Sequence, residues 1–213
     1  MSFRFLLRPR WLAWTALVVV ACVVMVNLAG WQWQRLEERR DRNEQFLARA
    51  DLPLVDAGEV LAPVGTDVDP TLEWRRVRAE GVYDASGEVL ISHRTFDSAP
   101  GWWVVTPLVL DDGTALAVNR GWIPFNIQPD DDRSSFAPPA GRVEVSGLLQ
   151  PDQDRVAGPM DDPQVLPRVN LIELDRRSDA AVLGMWLQLE EQDPAVVSDE
   201  LVLLPLPELT DGP

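Results

Sequence analysis

Residues 11–30, WLAWTALVVVACVVMVNLAG, pass through twenty positions without a charge. Nothing else in the 213-residue chain is apolar enough to wrap such a segment inside a water-soluble globule. As a helix rising ~1.5 Å per residue the run covers ~30 Å, the thickness of a bilayer's hydrocarbon core. Trp11 and Trp14 stand at one end, Trp31 and Trp33 at the other, the paired aromatic belts of a spanning helix. The sequence therefore predicts a membrane span. A cleavable signal peptide has a shorter apolar core and a small-residue exit, whereas this run ends against bulky Trp31. Val19-Val20-Ala21-Cys22 loosely resembles a lipoprotein processing site. Eight further uncharged residues follow Cys22, however, so the cysteine reads as a small lipid-facing hydrophobe.

Orientation is less sharply encoded. Arg4, Arg8 and Arg10 precede the span, while Arg35, Arg39, Arg40, Arg42 and Arg49 follow it, so a raw cation count favours the opposite topology from the acid-free N-terminus. The downstream cations alternate with Glu37, Glu38, Asp41 and Glu44, and long domains translocate largely regardless of charge. On balance the body is expected outside the cytoplasm. Trp31, Gln34, Arg35, Glu38 and Arg42 keep helical spacing past the span. Glu38 and Arg42 form a favourable i,i+4 pair, and Pro53 marks the end of the helix near Ala50.

Charge separates the two parts of the chain. Residues 1–50 hold eight arginines and four acids of the chain's 19 cations and 34 acids, leaving eleven arginines and thirty acids, net −19, for residues 51–213. Such a body repels nucleic acid and anionic lipid headgroups, and suits a soluble, monomeric domain with a solvated acidic face or a cationic partner. No lysine occurs, which removes Schiff-base chemistry and a Ser-Lys protease. One cysteine and one histidine, Cys22 and His93, exclude an intrachain disulfide and leave no cluster for a zinc site.

Beyond residue 70 short alternating runs recur. EWRRVRAEGVY puts Val77, Ala79 and Tyr83 on one face and Arg76, Arg78 and Glu80 on the other. EVLISHR follows the turn-like Asp84-Ala85-Ser86-Gly87. WWVVTPLVL and TALAVNRGW flank Asp111-Asp112-Gly113, the best hairpin signal in the chain. RVEVSGLLQ and MWLQLEE complete six runs, with a short helix expected in DRRSDAAVLG before the last. The pattern predicts a mainly β, α+β protein: an antiparallel, barrel-like β domain behind the transmembrane helix. Two long loops, FNIQPDDDRSSFAPPAG and QPDQDRVAGPMDDPQVLP, interrupt it.

Two positions invite functional readings. NRGWIP, residues 119–124, closes a strand in which alternation puts Leu116, Val118, Arg120 and Trp122 on one face. Gly121 permits a bulge or a close backbone approach, and Pro124 ends the pairing. Arg120 is either a structural arginine bonded to carbonyls or an acid, or part of an Arg/Trp patch of the kind that anchors interfaces. His93, on a strand face with Val89 and Ile91, reads as a hydrogen-bonded core residue, with an axial haem ligand as the alternative. A Ser-His-Asp site would need His93, yet no Gly-x-Ser-x-Gly elbow is present. No catalytic residue emerges, and the protein is expected not to be an enzyme.

Four segments resemble the Surf1 family of cytochrome c oxidase assembly factors: LAGWQWQRL (28–36), RRVRAEGVY (75–83), GWWVVTPL (101–108) and VNRGWIP (118–124). The resemblance spans roughly residues 11–210. It implies a protein of the cell membrane with its bulk extracytoplasmic, assisting maturation of subunit I of an aa3-type oxidase. Haem a insertion is the implied task, and the haem a synthesis machinery a further partner. No cofactor is implied as firmly held; transient haem a is. Candidate partner-binding residues are Trp31, Gln32, Arg35, Arg120 and Trp122, with Arg35 and Arg120 as candidates for pairing haem propionates.

The expected layout is residues 1–34 as cytoplasmic N-terminus and transmembrane helix, 35–50 as a helical extension at the membrane interface, 51–70 as a linker, 71–205 as the β domain and 206–213 as a tail. The family's second membrane helix, and the histidine that opens it, have no counterpart within these residues, and His93 does not match that histidine. Alternatives are a stable accessory subunit of a respiratory complex and a generic membrane-anchored interaction domain.

Overall fold

The computed structural model describes residues 9–129, 131–153, 164–195, 198 and 200–206. They form two compact units, one ending at Phe46 and the other running Leu47–Glu208. Helix α1 (Pro9–Ala50) opens the chain. Its apolar stretch is exposed at every described side chain: Leu17 is 56%, Met25 69% and Val26 71% accessible. A core helix would bury such side chains; this one is long and apolar enough to cross a bilayer. Two polar side chains there fold back onto carbonyls one turn earlier, Thr15 onto Trp11 at 2.9 Å and Asn27 onto Val23 at 2.8 Å. That satisfies them without water. The helix ends at Ala50, before Pro53.

The second unit is built on strands β1 (Val55–Asp56), β2 (Arg76–Tyr83), β3 (Val89–Phe96), β4 (Ala99–Leu110), β5 (Thr114–Pro124), β6 (Arg142–Pro151), β7 (Val165–Leu166) and β8 (Ala181–Asp193), with helices α2 (Ala57–Val60) and α3 (Leu171–Arg177). β2, β6, β8, β5 and β4 pair in that order, and β4 pairs back onto β2, so the five close into a ring. β3 and β7 extend the sheet from β4, and β1 extends it from β2. Most pairs are antiparallel as expected; β5–β8, β1–β2 and β3–β7 run parallel.

Alternation fills the ring. β2 contributes Val77, Ala79 and Tyr83, β5 Leu116 and Val118, β6 Val143, Val145 and Leu149, and β8 Leu183, Met185, Leu187 and Leu189. Each fully buried large side chain stabilises by about 1.5–3 kcal/mol. Outside the ring, α3 lays Leu171 and Leu174 on Val89, Ile91, Val105 and Trp186. A third cluster, Leu90, Trp102, Val104, Ile123, Ile127 and Phe136, packs beside the other side of β3.

Three expectations are corrected here. Residues 51–70, read as a linker, carry β1 and α2 and bury Ala57 and Leu61 in the core. The short helix is LIELDRR rather than DRRSDAAVLG: Asn170 caps its start by accepting from the Glu173 amide at 2.9 Å, and Asp175 accepts from the Val182 amide as β8 begins. The hairpin at Asp111-Asp112-Gly113 forms, with the Asp112 carboxylate accepting from both the amide and the hydroxyl of Thr114. A second hairpin, β3–β4, turns on Asp97 and Ser98, both at positive φ (46° and 64°), a turn the alternation did not disclose. Most of the loop after β6 (154–163) and the tail past Leu206 lie outside the described residues.

His93 is the third correction. β3 pairs Ile91 with Trp103 but Arg94 with Gly101, so one extra residue bulges out. His93 takes φ +57°, leaves the face of Val89 and Ile91, and is exposed, its Nδ1 2.9 Å from Ser92 Oγ. The extra residue reverses the face on which alternation had placed it.

Candidate functional site

Arg120 sits at the end of the ring on the face of Leu116 and Val118, 1% exposed. A buried guanidinium needs partners; both terminal nitrogens of Arg120 have them, while its Nε is buried without one. Nη1 donates to Glu88 Oε2 at 2.9 Å, and Nη2 donates to the Phe136 carbonyl at 2.7 Å. Glu88 arrives from the start of β3 and also accepts from the Thr106 hydroxyl of β4 at 2.7 Å and from Arg133 Nη1 at 3.3 Å. The Tyr83 ring lies under the guanidinium, 5.5 Å away, and its hydroxyl donates to Gln192 at 2.8 Å. One ion pair thereby ties β2, β3, β4, β5, β8 and the loop after β5.

The electrostatics follow from burial. Desolvation pulls the Arg120 guanidinium below its ordinary value, opposed by Glu88 and then Tyr83. Burial likewise pushes the Tyr83 phenol upward, opposed by the nearby arginine.

Trp122 does not stay beside Arg120. Val104 pairs with Gly121 and Val105 with Asn119, so Arg120 is the extra residue of a bulge and the faces exchange beyond it. Ile123 joins the Phe136 cluster, while Trp122 turns to Phe96, at 5.6 Å between rings, and donates its indole N–H to the Arg94 carbonyl at 3.1 Å. The expectation of one Arg/Trp patch is therefore corrected: both side chains are buried, on opposite faces. Nor does Arg120 fit a haem propionate, because its two terminal nitrogens are already committed to Glu88, Thr106 and Phe136. Trp31, Gln32 and Arg35 all lie exposed on α1, Trp31 at 57%.

Glycine 121 has a distinct task. At φ +145° it lets the segment near the end of the chain approach, and a Cβ here would sit 2.5 Å from the Val202 carbonyl oxygen. Trp122 and Val202 exchange two backbone hydrogen bonds of 2.8 Å. The same segment is fastened by Ser198 donating to the Ser135 carbonyl at 2.7 Å, by Ser135 to Glu200, and by Gln188 to the Pro205 carbonyl at 3.1 Å. Between it and the end of β8 lies a cavity of about 420 Å³, with Arg120 at one wall and Leu189, Leu201 and Leu203 supplying apolar surface. Its polar wall is Gln192, held by Tyr83, and Glu190, held by a two-pronged ion pair with Arg76 at 2.8 and 2.9 Å. Apolar walls with a few fixed polar groups suit recognition of an apolar or amphipathic group.

Sequence reasoning singled out Arg120 and Gly121 but not Glu88, Thr106, Arg133 or Gln192. Arg120 beside core positions called for carbonyls or an acid; thirty acids in residues 51–213 offered no means to choose one.

A ring of strands that follows an apolar helix in the chain, braced by a buried Arg–Glu pair and strapped at Gly121-Trp122, defines a small β domain preceded by a helix fit for a membrane. A sequence model of the SURF1 family matches residues 19–210, and the chain belongs to that family. The family is linked to cytochrome oxidase assembly and is not a known family of enzymes. SURF1-like proteins of Mycobacterium bovis and Mycobacterium tuberculosis are each 31% identical over 220 aligned residues, covering 98% of this chain and 77% of the relative. A SURF1-like protein of Dictyostelium discoideum is 42% identical over 50 residues, 24% of this chain and 18% of its own length.

Proposed function

We propose that this protein is a non-enzymatic assembly factor, anchored in the cell membrane by α1, for an aa3-type cytochrome c oxidase. The observation that carries this reading is the SURF1 match across residues 19–210, which takes in most of the apolar helix and nearly all of the β unit. α1 carries the exposed Trp31, Gln32 and Arg35 to the partner or to its haem supply. The β unit, extracytoplasmic, holds subunit I while haem a, the cargo, is inserted. Of the two propionate candidates Arg35 remains, because Arg120 serves the fold. The assignment to a holding role fits a domain whose most constrained charge is spent on bracing its own ring.

The test is the oxidase made without this protein. Purified from a strain lacking the gene, it should carry less haem a per subunit I and be recovered in lower yield. A full haem a complement at normal yield would refute the proposal.

A further inference from the structure

A second group of residues stands apart from the Arg120 network. Ser92, His93, Arg94, Gln153, Pro167 and Arg168 line an open depression beside the β3 bulge. Among the described residues this lining holds two guanidiniums, an imidazole, a hydroxyl and an amide, and no carboxylate. That composition is anomalous on a body of net −19. Neither Arg94 nor Arg168 forms an ion pair among the described residues, unlike Arg76, Arg120, Arg133, Arg142, Arg176 and Arg177. The neighbouring acid, Asp152, is turned to the Leu171 amide at 3.2 Å.

Arg94 is held in place rather than loose. Its guanidinium stacks 4.0 Å over the Trp103 ring, and Nη2 donates to Gln153 Oε1 at 2.8 Å. Its Nε is buried with no hydrogen-bond partner. Burial, and then the like charge of Arg168, pull this guanidinium below its ordinary value. The positive φ of His93 is backbone strain spent on turning that side chain out of the core and to the surface. Two cations lining one depression with no carboxylate beside them among the described residues, one of them pre-oriented by stacking, are what an oxyanion site requires.

We propose that this depression binds a phosphate group, gripped by Arg94 and Arg168 with Ser92 and His93 as further hydrogen-bonding groups. Several donors approaching from different directions suit the tetrahedrally arranged oxygens of a phosphate better than the coplanar pair of a carboxylate. The phosphate could belong to a soluble monoester or to the diester of a lipid headgroup.

Calorimetric titration of the full chain in a non-ionic detergent distinguishes these. Inorganic phosphate should bind saturably to the wild type. Arg168→Ala, a change at an exposed residue, should weaken it at least about tenfold, the loss of one charge-assisted contact. Arg94→Lys should weaken it too, since the charge stays but the planar fork is lost. Arg142→Ala, on an arginine already engaged by Glu80 and Asp111, should leave it unchanged. Tighter binding of glycerophosphoglycerol than of glycerol phosphate assigns the site to a lipid headgroup; the reverse order assigns it to a soluble monoester. No saturable phosphate binding, equal binding by Arg168→Ala, or acetate binding as tightly as phosphate would overturn the proposal.

Discussion

The guanidinium of Arg120 and the carboxylate of Glu88 meet at 2.9 Å with 1% and 3% of their side chains exposed. Removing one partner of such a pair leaves the other charged and buried, which costs about 3–5 kcal/mol. Arg120→Ala and Glu88→Ala should each lower the unfolding free energy of the full chain in detergent by about that much. The double variant Glu88→Leu/Arg120→Met should lose less than either single one, because no fully buried charge is left unpaired; Arg133, which also loses Glu88, is 23% exposed. Chemical denaturation measures all three. Additive losses would mean that the two residues do not act as a pair.

Tyr83 gives a pH signature free of interference, because it is the chain's sole tyrosine. Burial raises its phenol above the ordinary 10.0. A raised folded value means that the fold favours the protonated form. This contribution to stability is fully present below the unfolded pKa and is lost as pH climbs from there through the folded value. Tyrosinate absorbance should therefore stay absent at pH 10 in the folded chain and appear near pH 10 in denaturant. Ionisation at the ordinary value in the folded chain would contradict the burial described for Tyr83.

Gly121→Ala places a methyl group 2.5 Å from the Val202 carbonyl oxygen and strains a backbone at φ +145°. The expected cost is about 1–3 kcal/mol, expressed locally as loss of the Val202 bridge. Hydrogen exchange at the Trp122 amide, which donates to Val202 at 2.8 Å, should accelerate. Unchanged protection would show that the strap does not depend on the glycine.

Much of this architecture was legible in the residues. Period-two alternation placed Val77, Ala79 and Tyr83 in the core, and Asp111-Asp112-Gly113 marked its hairpin. Gly121 permits a bulge or a close backbone approach, and the structure has both. What escaped were the consequences of single inserted residues. Alternation assumes an unbroken ladder, so bulges at Arg120 and His93 reversed the faces of Trp122 and His93. The parallel β5–β8 pair and the Glu88 partner are long-range facts, set by ring closure rather than by local pattern.

The topology reading rests on α1 and has its own check. The full chain should resist alkaline extraction from membranes. Protease added to intact spheroplasts should digest the unit Leu47–Glu208. Digestion only after the membrane is opened would put that unit in the cytoplasm.

The central claim is that the chain acts on immature oxidase. Affinity capture of the full chain from cells in which haem a synthesis can be switched off and restored tests it most directly. The account predicts that subunit I is captured while haem a is lacking and is released once haem a is supplied. Equal, stoichiometric capture of mature oxidase under both conditions would contradict it and make the protein a permanent subunit.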